Sequence, residues 1–256
     1  MEQKVVIDSS KCIGCGLCVK DCVGTDIVLK DNKAVAQGKR CILCGHCEAV
    51  CPQNAVTVAG FEDSVEEFSD QTRLDPSTLM KAIKTRRSIR DFKNDLIPEE
   101  ILNQIIEAGR LAPTGGNGQG VQYIVLKNNI NKAEETAVTK VRKFLKPCKN
   151  LVPLLKDMTI DDHFFFKNAP VAIVVLGKDK VSASIAAQNM AFMAEANGLG
   201  VLYSGFFTYA IRLSSKVRKL VNLPKGAKPV TTLVLGFSNV NYKRTVHRKP
   251  AKVIEA

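Results

Sequence analysis

The sequence predicts an α+β protein in two parts: a small cysteine-rich domain over residues 1–60, an acidic linker over 61–75, and a larger domain over 76–256. Three observations point there. Eight of the nine cysteines fall between Cys12 and Cys51. Residues 61–75 carry six Asp and Glu against one Arg, a composition break typical of a segment between domains. Beyond Pro76, apolar residues at helical spacing alternate with short apolar runs bounded by Gly and Pro, the pattern of helices layered on a sheet.

The first part carries one spacing twice, Cys12-x2-Cys15-x2-Cys18-x3-Cys22 and Cys41-x2-Cys44-x2-Cys47-x3-Cys51-Pro52. Four thiolates in that order match the bacterial run that ligates cubane iron–sulfur clusters. Three cysteines in a tight loop reach one cube and the fourth serves the other, so the halves interlock. One [4Fe-4S] cluster is therefore expected on Cys12, Cys15, Cys18 and Cys51, and a second on Cys41, Cys44, Cys47 and Cys22. Gly14, Gly16 and Gly45 suit a backbone that bends sharply and aims N–H groups at sulfur. Zinc favours two separated Cys-x2-Cys pairs per ion, and disulfides need an oxidising compartment. Neither fits as well.

Around the cysteines, Lys4–Ile7 reads as a strand. Residues 27–30 and 33–36 read as a hairpin turning at Asp31-Asn32, and Val56–Val58 as a closing strand. So small a core implies that metal ligation supplies most of the folding energy. In the linker, Phe61, Val65 and Phe68 are candidates to dock, and the segment either runs extended or forms a short helix.

Asp75-Pro76 is an N-cap followed by proline at the first helical position. The helix it opens is expected to turn Leu79, Met80 and Ile83 inward and to end near Thr85. Arg86-Arg87-Ser88-Ile89-Arg90 follows, with Arg86, Ser88 and Arg90 facing one way if the segment is extended. Guanidinium forks and a hydroxyl make an anion trap. Pro98 starts the next helix, whose buried face is Ile101, Leu102, Ile105, Ile106 and Ala108, and Pro113 stops it. The glycine-rich stretch 112–120 follows a helix and precedes a strand, the reverse of a dinucleotide-binding fingerprint. Its glycines suit backbone lying close to a flat polar ring.

Strands are expected at 121–126, 171–176 and 231–236. Helices are expected at 131–145, 182–197 and 217–223, the second apolar nearly all round and so buried. Cys148 reads as a filler thiol. The aromatics 164–166 read as core more than as a pocket floor, and His163 is a weak candidate proton donor.

At 256 residues and 45% hydrophobic, the chain can bury a sizeable core. Its net charge of +12 is uneven: residues beyond 75 hold 29 Lys and Arg against 13 Asp and Glu. Such a surface suits phosphorylated cofactors or acidic partners. No recognition helix or RNA-binding signature is present, so no nucleic acid is expected. No apolar run approaches the roughly 18–20 residues of a membrane span, and Met1–Lys11 is not an apolar leader. No membrane association and a cytoplasmic location are expected.

Two families are resembled. Residues 1–60 resemble a two-cluster ferredoxin, with Val23 where that family often has Pro. The Arg-Arg-Ser-x-Arg-x-Phe run, the Ala-Pro-Thr loop with Asn and Gln, and the C-terminal Arg248-Lys249-Pro250 together resemble the FMN-dependent nitroreductase family, a ferredoxin–nitroreductase fusion overall. That resemblance implies a three-layer α+β domain with a mixed sheet, assembled as a homodimer. It implies that Arg86, Arg87, Ser88 and Arg90 grip the FMN phosphate and ribityl chain, joined by Arg248 and, less strongly, Arg244. It implies that Pro113, Thr114, Gly115 and Asn117 contact the flavin ring of the other subunit, with Gln119 also at a family cofactor-binding position, and that backbone N–H groups of Ser204 and Gly205 reach flavin N5. Where the family continues Gln-Pro-Trp, this chain has Gln119-Gly120-Val121.

The expected function is a flavin-dependent oxidoreductase in which two clusters relay single electrons to FMN, which reduces a nitro compound, quinone or similar acceptor. The donor is a reduced ferredoxin-type protein or NAD(P)H. Alternatives are an NAD(P)H-driven flavin reductase with the clusters as electron exit, a non-enzymatic electron-transfer flavoprotein, and a redox sensor.

Overall fold

The computed structural model describes residues 4–61, 63, 65–67, 73–145 and 159–255. Phe68 and Cys148 lie outside them. The chain forms two compact units, Met1–Arg73 with Gly116–Gly118, and Leu74–Gly115 with Gln119–Ala256.

In the first unit, β1 (Val5–Ile7) pairs antiparallel with β4 (Val56–Val58), Val5 opposite Val58. β2 (Ile27–Lys30) and β3 (Lys33–Ala36) form the expected hairpin. Asp31 and Asn32 at its tip take φ of 49° and 58°, as a two-residue turn matched to strand twist requires. Each cysteine run closes on a short helix, α1 (Leu17–Asp21) and α2 (His46–Ala49). Val5, Ile27, Ala34, Ala55, Val56 and Val58 fill the core together with Cys12, Cys18 and Cys47.

The second unit opens with α3 (Pro76–Thr85). Asp75 caps it, accepting the Thr78 N–H at 2.8 Å. The other elements are α4 (Glu99–Arg110), β5 (Gln122–Leu126), α5 (Ile130–Leu145), β6 (Val171–Leu176), α6 (Lys180–Ala196), β7 (Gly200–Tyr203), α7 (Gly205–Leu213), α8 (Ser215–Leu220) and β8 (Pro229–Gly236). The sheet order is β5-β6-β8-β7, each neighbour antiparallel. A parallel bridge from Ser88 to Val201 of β7 gives the sheet its mixed character.

Strand β6 is buried along its whole length, so both sheet faces must be covered. Val171, Ile173 and Val175 face Leu102 and Ile105 of α4 and Met190 of α6. Ala172, Val174 and Leu176 join Ala133 of α5, Phe207 and Ile211 of α7 and Val217 of α8. The period-two alternation of the strand thus sorts one apolar run into two cores, giving three layers. Gly109 lets α4 approach α6: a Cβ there would sit 2.8 Å from Met190 Cγ.

Two expectations are corrected. Leu79, Met80 and Ile83 do not turn inward; they are 38%, 50% and 48% exposed, and α3 buries no residue. Helical periodicity decides which side of a helix is apolar, not whether an element of the same chain covers it. Phe61 and Val65 are likewise exposed rather than docked.

Candidate functional site

In the first unit the fold gathers the cysteines into two sets. One cavity is lined by Cys12, Cys15, Cys18 and Cys51. A second is lined by Cys22, Cys41, Cys44 and Cys47. The four sulfurs of each set thus line one cavity, the arrangement that four-cysteine ligation of a cluster needs.

Backbone N–H groups point at four of these sulfurs: Ala34 at Cys12 (3.4 Å), Asp26 at Cys22 (3.3 Å), Leu43 at Cys41 (3.4 Å) and Ala55 at Cys51 (3.3 Å). Such donors stabilise thiolate and tune a bound cluster. The Ala34 and Gly14 N–H groups lower the Cys12 thiol, whereas burial pushes Cys47 up to about 11. Gly14, at φ 71°, has no room for a side chain, since a Cβ would meet the Asn32 carbonyl oxygen at 2.1 Å.

Sequence reasoning missed Asp26. It is buried, and its carboxylate accepts the N–H groups of Gly38 (3.0 Å), Lys39 (2.7 Å) and Arg40 (2.7 Å). Burial raises this carboxyl, but the bonds from Arg40, Lys39 and Gly38 outweigh it and hold the group below its usual range. Asp26 thereby pins the loop that delivers Cys41. Its only signal in the sequence is a lone acidic residue before a strand.

In the second unit, Ile89 N–H donates to the Val201 carbonyl at 3.0 Å, which sets the arginine run beside β7. Arg86 Nη1, Arg87 Nε and Arg87 Nη2 are buried without a hydrogen-bond partner among the described residues. The alternate-residue expectation is therefore revised: adjacent Arg86 and Arg87 hold the inward nitrogens, while Arg90 is exposed and donates to the Ser88 carbonyl. Arg87 is anchored by its remaining nitrogen, Nη1, on the carbonyls of Lys84 (2.9 Å) and Arg86 (2.6 Å). Burial raises Glu195 of α6 and Tyr203 of β7, and the nearby Arg86 charge offsets only part of the rise in each. Buried guanidinium nitrogens without partners are costly unless an anion completes them. The chemistry of this donor set fits a phosphate.

Ser204 follows β7 directly. Its N–H donates to the Thr232 carbonyl at 2.8 Å and is taken up by the sheet. Gly205, first residue of α7, has no intrahelical partner for its N–H. In the loop after α4, Thr114 Oγ1 accepts the Gln119 N–H at 3.0 Å, and Gly115 N–H donates to Ser182 Oγ at 3.3 Å. Gly116, Asn117 and Gln119 all take left-handed φ. Pro113 is exposed on this loop, and Arg244 and Arg248 are exposed on the irregular tail.

The aromatics after His163 serve the core. Phe165 and Phe166 are buried against Phe207, with ring centroids 5.6 and 4.5 Å away. Buried Glu134 of α5 accepts the N–H groups of both, at 2.9 and 2.6 Å, and lies 3.5 Å from His163 Nδ1. His163 is thus paired with a structural carboxylate.

Residues 83–237 match the nitroreductase family. The chain belongs to that family. Residues 4–52 match the 4Fe-4S dicluster domain, so the first unit is a ferredoxin-type iron–sulfur module. A Methanothermobacter thermautotrophicus protein whose name includes NAD(P)H nitroreductase is 27% identical over 172 residues, covering 64% of this chain and 78% of its own. A Bacillus subtilis FMN reductase [NAD(P)H] is 27% identical over 168 residues, 62% of this chain and 65% of its own. Among solved structures, a Desulfitobacterium hafniense nitroreductase with bound FMN superposes with a TM-score of 0.56 at 25% identity, covering 69% of this chain and 97% of its own. Among the described residues no helix is long and apolar enough to cross a membrane.

Proposed function

We propose that the chain receives electrons singly at its two [4Fe-4S] clusters and uses them at an FMN site in the second unit to reduce a small organic acceptor by two electrons. The chain is a flavin-dependent oxidoreductase of the nitroreductase family. The observation that carries the finer reading is the pairing, in one chain, of two four-cysteine cavities with buried, partnerless guanidinium nitrogens.

The residues divide the work. Cys12, Cys15, Cys18 and Cys51 hold one cluster, and Cys41, Cys44, Cys47 and Cys22 the other. Arg86 and Arg87 offset the phosphate charge, with Ser88 adding a hydroxyl and Arg90, Arg244 and Arg248 closing over it from solvent. Pro113, Thr114, Gly115, Asn117 and Gln119 bound the ring, and Gly205 offers the free N–H for N5. When bound, FMN supplies the ability to take electrons one at a time and give two together. A nitro group then takes two electrons and two protons to become nitroso and water, and a quinone takes the same to become hydroquinone. Two equivalents of a reduced ferredoxin-type donor lose one electron each, and solvent provides the protons. The exposed apolar residues of α3, with Val181 and Ile185 of α6 (67% and 37% exposed), support assembly as a homodimer.

The test is anaerobic. Wild type and Cys15→Ala and Cys44→Ala variants, each loaded with FMN, are mixed with a low-potential one-electron donor, and flavin bleaching is followed. Bleaching slows at least tenfold in the variants if the clusters are the entry; unchanged rates refute the relay. A second reading is favoured by the names of the two relatives above, both of which include NAD(P)H. In it NAD(P)H reduces the flavin and the clusters carry electrons out. Stopped-flow reduction by NAD(P)H outpacing the one-electron donor selects it.

A further inference from the structure

The second unit has a cavity of about 730 Å³ that none of the residues assigned above lines. Three segments build its walls. Lys178 and Lys180 come from the junction of β6 and α6. Arg212, Arg218 and Lys219 come from α7 and α8, and Lys225 and Lys228 from the turn into β8. Among the described residues no acidic side chain lines it. Among the described residues none of these seven cations forms an ion pair with a carboxylate. Asp179 lies next to two of them, but its carboxylate is taken by the Ser182 hydroxyl and the N–H groups of Val181 and Ser182, which cap α6.

Charges on solvated surfaces are common, and cations at a helix C-terminus complement its dipole. That accounts for Arg212 at the end of α7 and for Arg218 and Lys219 at the end of α8. It does not account for the other four, Lys178, Lys180, Lys225 and Lys228, which converge from two separate segments and repel one another around a common space. The frame holding them is set by main-chain bonds: Ala227 N–H to the Pro224 carbonyl (3.1 Å), Gly177 N–H to the Lys228 carbonyl (3.0 Å) and Leu223 N–H to the Arg218 carbonyl (3.0 Å). Arg212 is locked on the Pro229 carbonyl through Nε and Nη2, at 3.1 and 2.6 Å. Between the cations, half-buried Leu223, Ala227 and Val230 with Pro224 supply an apolar wall.

We infer that this cavity binds a nucleotide, with its phosphates on the lysines and arginines and its base against the Leu223–Val230 wall. Concave, part-apolar sites of this size take ligands of small-molecule dimensions. A lone inorganic anion would leave the apolar wall unused. The ligand class has two sources, a free nucleoside phosphate or the phosphorylated adenosine end of a nicotinamide dinucleotide. The proposal goes beyond the FMN and cluster assignments and stands apart from them, since it is read by binding and not by turnover.

Calorimetry on the FMN- and cluster-loaded protein tests it, with ADP, adenosine 2′,5′-bisphosphate, adenosine and inorganic phosphate as probes. Either ADP or adenosine 2′,5′-bisphosphate binding more than tenfold tighter than both adenosine and inorganic phosphate supports the site. The tighter of the two identifies the source. Lys225→Gln/Lys228→Gln should weaken that binding about tenfold, as expected for two charges worth roughly 0.7 kcal/mol each. Lys81→Gln/Lys84→Gln, which removes the same charge from α3, should leave it within twofold. Equal loss in both double variants means unspecific electrostatics and overturns the proposal. So does equal affinity for ADP and inorganic phosphate, or no nucleotide binding at all. An unchanged flavin spectrum in each variant verifies that the second unit is folded.

Discussion

Replacing Arg87 by Met should barely change the flavin-free protein while strongly weakening its hold on FMN. Without FMN, Arg87 Nε and Nη2 are buried with no acceptor, a desolvation penalty of about 1–3 kcal/mol each. Against this, Nη1 makes two bonds to main-chain carbonyls, at 2.9 and 2.6 Å, worth roughly 1.5–3 kcal/mol each for a charged donor. The two contributions nearly cancel. Met retains most of the stem's packing, so flavin-free stability should move by no more than about 1 kcal/mol. On the proposed assignment, FMN lets the same nitrogens complete a charge-assisted fork on its phosphate, and losing one partner of such a pair costs about 2–5 kcal/mol. At 1.4 kcal/mol per decade, the FMN dissociation constant should rise at least about 30-fold. Urea unfolding of flavin-free protein and titration of FMN by fluorescence quenching measure the two effects. If FMN affinity stays within threefold while flavin-free stability falls by more than about 3 kcal/mol, Arg87 is a structural tie and the phosphate assignment is wrong.

Three further predictions concern parts that hold the sites in place. Glu134→Ala strands the N–H groups of Phe165 and Phe166 and should cost about 3 kcal/mol by urea denaturation. Because burial raises the Glu134 carboxyl, its contribution is complete at acid pH and is lost as pH rises through the raised value. The stability gap between wild type and Glu134→Gln should therefore narrow from pH 4.5 upward. Asp26→Asn keeps an oxygen for the Lys39 and Arg40 N–H groups but turns an NH2 donor toward the Gly38 N–H, and should loosen the Cys41 loop by about 2 kcal/mol. Since the Asp26 carboxyl is lowered, wild type should keep this stability above the ordinary Asp range and lose it as pH falls through the lowered value. Faster bleaching of cluster absorbance in the variant near neutral pH, converging with wild type in acid, is the expected readout. Anaerobic extraction of iron should erase hydrogen-exchange protection in β1 to β4 while β6 and β8 keep theirs, because strands of three and four residues cannot hold a core unaided.

The features legible in the residues were those with local causes. A repeated cysteine spacing implies clusters because ligand geometry acts over eleven residues. Asp75-Pro76 announces a helix start because the cap bonds three positions on. Asp31-Asn32 marks its turn because both residues tolerate positive φ. The Arg-Arg-Ser run marked a concentration of guanidinium donors, but not which of their nitrogens turn inward.

What remained hidden depends on chain segments far apart in sequence. The Ser88–Val201 bridge decides that Arg86 and Arg87, and not alternate residues, face the interior. The Thr232 carbonyl takes the Ser204 N–H into the sheet, a pairing set by a strand 28 residues away. Met190 explains Gly109, and two N–H groups from the segment after His163 explain a buried Glu134. The exposure of Leu79, Met80 and Ile83 belongs to the same class, since an amphipathic stripe carries no record of its cover. Sequence alone determined the chemistry available to this protein, because ligand type and short-range spacing are properties of the chain. Tertiary structure decided which of those groups remain unpaired and able to bind, because hydrogen-bond partners and burial exist only once distant segments meet.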